Sequence, residues 1–319
     1  MTREDILKTD IVIVQKQTAL ERYTRRALNI DFLEYLEKAG QSLDSLVASH
    51  DAHMRARELL LQLLAERNLS HTLFNLDELQ NSGLKFHDED FPYETGIIPK
   101  QKLVLSLGGD GTLLHASHYV GGDVNLLGLN SCPGHSVGHL CRAIPATFCK
   151  ALDSFFNKKM RVQAVRRLKV VTSQGHSLPL GLNDLLLCNR HPAATSRYQL
   201  TVTSSRNSES EKQLSSGIWI SAPAGSTAAI SSYGLPRLEL NSQQYLLAVR
   251  EPYVAQGESL RLEKRVLDGQ HDALTLFCRM RQGMVCVDGP DASALLGFGE
   301  SVRISLPDSS RLNLVTDFF

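Results

Sequence analysis

Apolar positions fall along this chain in two rhythms. Over roughly the first 140 residues, short apolar runs alternate with longer stretches of helical spacing. Residues 10–16 (DIVIVQK) form a β-branched run that reads as an opening strand. Residues 19–68 are charged and rich in Leu and Ala, and Gly40 and Ser42 divide them into at least two helices. The second, over about 43–67, carries Ala56, Leu60, Leu63 and Leu64 at helical spacing. A second strand is read at 71–76, and the polar, Gly- and Pro-containing stretch 81–101 as a loop. A third strand, 103–107, runs straight into five loop-type residues, followed by a helix over 113–119, a strand over 124–129 and a helix over 145–156. This alternation predicts a parallel, doubly wound sheet.

From about residue 160 the rhythm shortens. Strand-like runs recur at 161–173, 179–188, 197–204, 217–222, 245–250, 259–265, 273–279, 284–288 and 301–306, separated by turn residues. That pattern predicts an antiparallel, β-rich, sandwich-like region. One helix is expected inside it, over 225–233, shortly after Pro223.

Composition narrows the classes. The chain has 319 residues, 42% hydrophobic and 21% charged, which suits two globular domains and excludes a disordered chain. With 34 basic and 34 acidic residues the formal net charge is zero, which argues against broad electrostatic binding of nucleic acid. No apolar run is long enough to span a membrane, and the N-terminus Met1-Thr2-Arg3-Glu4-Asp5 leads into no signal core. The six cysteines (Cys132, Cys141, Cys149, Cys188, Cys278, Cys286) are scattered without a CxxC pair and read as reduced thiols, so a cytoplasmic protein is expected.

Three motifs carry chemistry. Gly108-Gly109-Asp110-Gly111-Thr112 ends a buried strand and opens a helix. Glycines allow close backbone approach, and N–H groups at a helix start suit a phosphate. An Asp in that turn either accepts a hydroxyl proton, helps hold a metal, or simply makes an Asx turn. No GKS or GKT follows, so this is not a Walker A loop. The second motif, residues 221–229 (SAPAGSTAA), offers hydroxyls and N–H groups at a helix start, although ordinary N-caps look alike. The third, Asn183-Asp184 entering a strand, pairs an amide with a carboxylate that can grip a diol, although such a pair is usually a turn.

In this order and spacing the three motifs resemble the NAD kinase family, whose pattern is GGDGT after a strand, an Asn-Glu pair and a TPTGSTAY-like turn. Residues 134–141 (GHSVGHLC), 215–217 (SSG), 250–252 (REP) and 285–289 (VCVDG) look like the branch that includes the mitochondrial NAD kinases. The match spans about 100–290, and no motif-level resemblance is found in 18–95. The resemblance implies phosphorylation of the adenosine-ribose 2′-hydroxyl of NAD to give NADP, with ATP and Mg²⁺, or polyphosphate in some members, as donor. It implies an α/β domain over 1–144 carrying the GGDGT loop, to which a tail of about 300–319 returns, and a β-rich dinucleotide-binding domain over 145–299. It also implies a homodimer or homotetramer, with small-molecule substrates and neither nucleic acid nor membrane as partner.

Carried over by motif position, Asp110 is the proton acceptor, and Gly108, Gly109, Gly111 and Thr112 form the phosphate loop. Asn183 and Asp184, the latter replacing the family's Glu, would bind NAD. Arg197 stands where a basic residue often follows. Ser216, where other members have Asp, and Gly225, Ser226, Thr227, Ala229 and Ser232 would line the dinucleotide site. Ala229 replaces the family's Tyr, removing a ring. No metal ligand set is assigned.

Rival readings have weaker footing. Diacylglycerol and sphingosine kinases share GGDGT but usually follow it with a Pro-x-Gly-Thr-Gly-Asn-type segment, where this chain has Asn130-Ser131-Cys132-Pro133-Gly134. A phosphofructokinase-type sugar kinase fits neither the 225–227 turn nor the β-rich second half. A non-catalytic NAD(P)-binding homologue draws on Ala229 and is opposed by the intact Asp110. A zinc site from His115, His118, His135 and His139 is not demanded by their spacing, and His139 reads as structural.

Overall fold

The computed structural model describes residues 11–26, 34–35, 38–40, 42–81, 103–122, 124–134, 138–205, 207–254, 256 and 259–319. The expected loop at 81–101 and His135 therefore fall almost wholly outside the described residues. The chain divides into two compact units, Met1–Val162 with Asn313–Phe319, and Gln163–Leu312.

The first unit is built on β1 (Ile11–Gln15), β2 (His71–Asn75), β3 (Leu103–Gly108), β4 (Asn125–Asn130), β5 (Met160–Arg166) and β17 (Arg311–Phe318), in the sheet order β2-β1-β3-β4-β17-β5. β1 pairs in parallel with β2 and β3, and β3 with β4. All five residues of β1 and all six of β3 are buried, because helices cover a doubly wound sheet on both faces. The helices are α1 (Ala19–Arg26), α2 (Asp44–Glu66), α3 (Leu76–Asn81), α4 (Asp110–Ser117) and α5 (Phe148–Phe156). Ala56, Leu60 and Leu64 of α2, four residues apart, join Ile11, Ile13, Leu103, Leu105, Leu127 and Leu129 in one core, with Phe148, Ala151 and Leu152 of α5.

The second unit is a sandwich of two antiparallel sheets. One has the order β12 (Lys264–Asp268), β11 (Gln244–Arg250), β10 (Gly217–Ser221), β7 (Asp184–Asn189), β14 (Gly283–Val287), β15 (Ala292–Leu296). The other has β6 (Lys169–Thr172), β16 (Ser301–Ser305), β13 (Ala273–Cys278), β8 (Ser196–Thr203), β9 (Ser208–Ser215). Alternate residues of each strand, such as Leu185 and Leu187, Ile218 and Ile220, Leu200 and Val202, and Leu274 and Leu276, meet in the core between them.

The expected α/β and β-rich architecture is thus present, with local corrections. The run 161–173 is two strands, β5 and β6, which belong to different sheets. The break falls at Arg167, 1% exposed, whose Nε donates to Ser310 O at 3.1 Å and whose Nη2 donates to Arg311 O at 3.1 Å. The strand expected at 259–265 lies at 264–268. Three strands were not expected. β9 (SESEKQLS) is a polar edge strand that borrows its register from β8, β15 is short, and β17 is recruited into the sheet of the first unit. The helix expected at 225–233 is two 3₁₀ turns, Ala224–Thr227 and Ala229–Tyr233, because Ala228 between them takes a non-helical ψ of −143°. No helix among the described residues is long and apolar enough to cross a membrane. All six cysteines are free thiols.

Replacing the buried guanidinium strands the carbonyls it serves. Arg167→Ala is expected to destabilise the chain by about 3–5 kcal/mol, the scale of a broken buried charge network, measured by urea denaturation. A loss below about 1 kcal/mol, the worth of an ordinary hydrogen bond, would show that water replaces it.

Candidate functional site

In the first unit, β3 ends at Gly108 and α4 begins at Asp110, with Gly109 as the extended N-cap. Asp110, Gly111 and Thr112 therefore form the first turn of the helix, not a loop ahead of a helix starting at 113. The return from strand to helix is tight: a Cβ on Gly108 would lie 2.2 Å from Thr112 Oγ1. Gly111 is the opposite case, exposed, with nothing within 4 Å of a would-be Cβ. Thr112 is buried, and its N–H donates to Gly109 O at 3.0 Å.

The Asp110 carboxylate is a structural hub. Its Oδ2 accepts the N–H of His139 at 2.7 Å, and its Oδ1 accepts those of Leu140 at 2.9 Å and Cys141 at 3.2 Å. A carboxylate offers about four acceptor positions; these three N–H groups fill three of them, and the Cys141 side chain also engages the carboxylate. The side chain read as a proton acceptor thus also pins the GHLC run beside the glycine turn. The expected structural role of His139 is met through its backbone.

In the second unit, Asn183 and Asp184 sit at the entry to β7, beside Ser221 at the end of β10. Their loop is shaped by a residue that motif reading had not assigned a role, Asp288. Its Oδ1 accepts the N–H groups of Asn183 at 2.7 Å and Asp184 at 3.0 Å, and its Oδ2 accepts that of Leu182 at 2.8 Å. Asp288 itself has φ +52° and donates its N–H to Asp184 O at 2.9 Å. The available signal was the VDG tripeptide, an acid beside a glycine at the end of a strand. The Asp184 carboxyl is 8% exposed, and its Oδ2 accepts from Asn183 Nδ2 at 3.1 Å. Burial, and then repulsion from Asp288, push its pKa up to about 7.

The 221–229 segment folds against the same loop. Asn183 O accepts the Ala222 N–H at 3.0 Å, and a Cβ on Gly225 would lie 1.9 Å from that oxygen, so glycine is required there. Ser226 is buried: its hydroxyl accepts the Leu238 N–H at 3.0 Å and donates to Leu238 O at 3.4 Å, which makes it a turn support. Thr227, Ala229 and Ser232 are exposed on the two 3₁₀ turns, and Ser232 Oγ donates to Ala229 O at 3.0 Å. Ala229 opens the second turn and does not face inward. Ile230 beside it fills the contact with Leu238, Leu246 and Ala248, over which Trp219, Tyr233 and Leu235 pack.

Two other expected residues stand apart. Arg197 on β8 is exposed and alternates with the core residues Tyr198 and Leu200, so it points away from the sandwich on the sheet that does not carry Asp184. Ser216 is exposed just before β10, at the opposite end of that strand from Ser221, roughly 15 Å away at strand rise. Its N–H donates to Arg250 O at 2.9 Å. The His115 ring contacts those of His118 and Tyr119, and no group of three or more His, Cys, Asp or Glu converges as a metal site among the described residues.

No family model matches the chain. Among curated proteins, a probable NADH kinase of Oryza sativa subsp. japonica is 32% identical over 64% of this chain and 67% of its own length. An NADH kinase of Arabidopsis thaliana is 30% identical over 66% of this chain and 72% of its own length. Among solved structures, an NAD kinase from Archaeoglobus fulgidus in complex with ATP superposes with a TM-score of 0.59 at 17% identity, covering 96% of this chain and 93% of its own. Yeast NADH kinase complexed with NADH gives 0.60 at 15% identity, covering 97% and 84%.

The sign of the Asp184 effect on stability follows from its raised pKa. The folded state holds the proton between about pH 4 and pH 7 while the unfolded state has lost it, so the cost of the buried charge is absent below about pH 4 and complete above about pH 7. Asp184→Asn removes that cost. The variant is expected to gain stability over the parent at pH 8, on the order of a few kcal/mol at about 1.4 kcal/mol per pKa unit, and little at pH 4.5. Melting curves at the two pH values measure it, and an equal gain at both would contradict the buried charge.

Proposed function

The chain belongs to the NAD kinase family, and from that premise we propose that it transfers the γ-phosphoryl group of ATP, supplied with Mg²⁺, to the adenosine-ribose 2′-hydroxyl of NAD, giving NADP. The observation that carries the reading is the Asp110 carboxylate, held by three backbone N–H groups at a glycine turn. A carboxylate so fixed is suited to take a hydroxyl proton without reorganising. The N–H groups at the start of α4 and the open space at Gly111 suit the transferred phosphate.

Asn183 and Asp184 act in this reading as the grip on the dinucleotide, with an amide and a carboxyl side by side on a loop that Asp288 keeps rigid. Thr227 and Ser232 present exposed hydroxyls on the turns that follow, with Ala229 between them, whereas Ser226 supports the turn and Arg197 stands outside the proposed site. NADH is the second acceptor to weigh, favoured by the names of the rice and Arabidopsis relatives. A homodimer or homotetramer in the cytoplasm completes the proposal, and light scattering of the purified chain reports the assembly.

The test is formation of NADP or NADPH by the purified chain with MgATP and either NAD or NADH, compared as kcat/KM. Binding of NAD without turnover would replace this reading with that of a non-catalytic homologue. Asp110→Asn is expected to lower kcat by roughly 10²–10⁴-fold, the usual worth of a positioned base. Because the new amide must face backbone N–H groups, its melting temperature is measured alongside; a folded variant with near-normal kcat would remove Asp110 from the chemistry. Asn183→Ala is expected to raise the Kd for NAD by about 5–150-fold, the cost of leaving a buried polar partner unmade, and to leave the KM for ATP unchanged. The reverse pattern would place Asn183 at the donor.

A further inference from the structure

The segment 18–95 carries no family motif, yet part of it lies against the glycine turn. β1 and β4 lead into Lys16 and Ser131, whose N–H groups donate to Leu107 O at 3.0 Å and Gly108 O at 3.1 Å. Both residues are therefore stitched to the strand end that opens the GGDGT motif. β1 lies between β2 and β3 in the sheet, so its carboxyl end is a topological switch point, where open α/β sheets form ligand crevices.

α2 sends three side chains from one face towards this place: His50, His53 and Arg57, three and four residues apart. His53, 1% exposed, shares a hydrogen bond of 2.9 Å between Nδ1 and Ser131 Oγ. His50 Nδ1 lies 2.9 Å from Thr18 Oγ1. Lys16, Arg57 and His50 all bear electrostatically on His53, and Glu21 is the carboxylate in range. Glu21 is already engaged, its Oε2 accepting the Thr18 N–H at 2.7 Å and the Thr18 hydroxyl at 3.0 Å.

The cations here outnumber the one carboxylate, Glu21, that bears on both Lys16 and His53. Arg57 Nε is buried with no hydrogen-bond partner among the described residues. Lys16 is half-buried, and its ammonium likewise forms no hydrogen bond among them. Burial, and then neighbouring cations, lower the His53 pKa to about 4, so its imidazole is neutral at pH 7 and braces Ser131 without adding charge. Buried donors are nearly always paired, and an orphaned guanidinium N–H beside a partly buried ammonium is costly until an anion completes it.

We propose that Lys16 and Arg57, braced by His53 and Ser131, form an anion subsite that takes the polyphosphate chain of the phosphoryl donor beside the glycine turn. The subsite rests on the phosphotransferase reading for the identity of the donor, and on the cationic donors without a hydrogen-bond partner for its existence. It gives the motif-free segment a role: α2 contributes the guanidinium that the GGDGT residues lack.

The test is calorimetric titration of the full chain with MgATP, inorganic tripolyphosphate and NAD, for the parent, Lys16→Gln, Arg57→Gln, the double variant and Arg57→Lys. Each Gln substitution is expected to raise the Kd for MgATP and for tripolyphosphate about tenfold or more, the worth of one charge-assisted contact. The Kd for NAD stays unchanged, and Arg57→Lys recovers part of the loss. The unliganded variants are expected to melt at the parent's temperature or above, since a cationic donor without a hydrogen-bond partner has been removed. Weakening confined to tripolyphosphate would also support the subsite and make inorganic polyphosphate its source. Weakening confined to MgATP would overturn it in favour of a nucleoside contact. Unchanged donor binding in the double variant, or lowered melting with NAD and donor affinity falling together, would overturn it as well. NADP formation is assayed in parallel. A parent that binds donor through these residues but makes no NADP refutes the kinase reading alone, and a double variant with unchanged KM for ATP and normal turnover refutes the subsite alone.

Discussion

Each candidate loop depends on one kind of interaction, an aspartate whose carboxylate accepts three consecutive backbone N–H groups. Asp110 gathers those of residues 139–141 beside the glycine turn, and Asp288 gathers those of residues 182–184 at the entry to β7. Consecutive N–H groups that turn toward one point outside any helix find no partner within a strand, where successive N–H groups face opposite edges. Left unpaired in a half-buried loop, each would cost about 1–3 kcal/mol. A single carboxylate satisfies all three and fixes the loop at the same time, because charge-assisted hydrogen bonds are short and directional. The two loops are thus pre-shaped by chemistry internal to each unit.

The same device sets the electrostatics. In the second unit the Asp288 charge is spent on the backbone, yet it still repels the Asp184 carboxyl, which burial already disfavours as an anion. The Asp184 carboxyl is thus held at a cost in stability above about pH 7.

Glycine placement follows from how closely these loops approach their neighbours. Gly108 is tight against the Thr112 side chain and Gly225 against the Asn183 carbonyl, so both are fixed by packing. Gly111 meets nothing and remains open to a ligand. Within one motif, the first glycine is therefore fixed by packing, whereas the third is not.

The sequence by itself determined the two-part architecture, most strand positions and the three motifs, because burial periodicity and glycine-rich turns are local properties that each segment carries with it. The packing of Gly225 against the Asn183 carbonyl, by contrast, belongs to the folded chain, because the two lie on separate loops. Tertiary structure decided the rest. β9 and β17 are strands because a partner edge was available for their backbones, which their own side chains do not announce. The 225–233 segment is two 3₁₀ turns because Ile230 must reach the cluster over β10 and β11, a demand made by the sheet and not by the segment. The face on which Arg197 emerges and the end at which Ser216 lies were also set by strand alternation and register. Asp288 and Arg57 were passed over because their importance lies in which distant N–H groups or cations they meet, and only the folded chain brings those together.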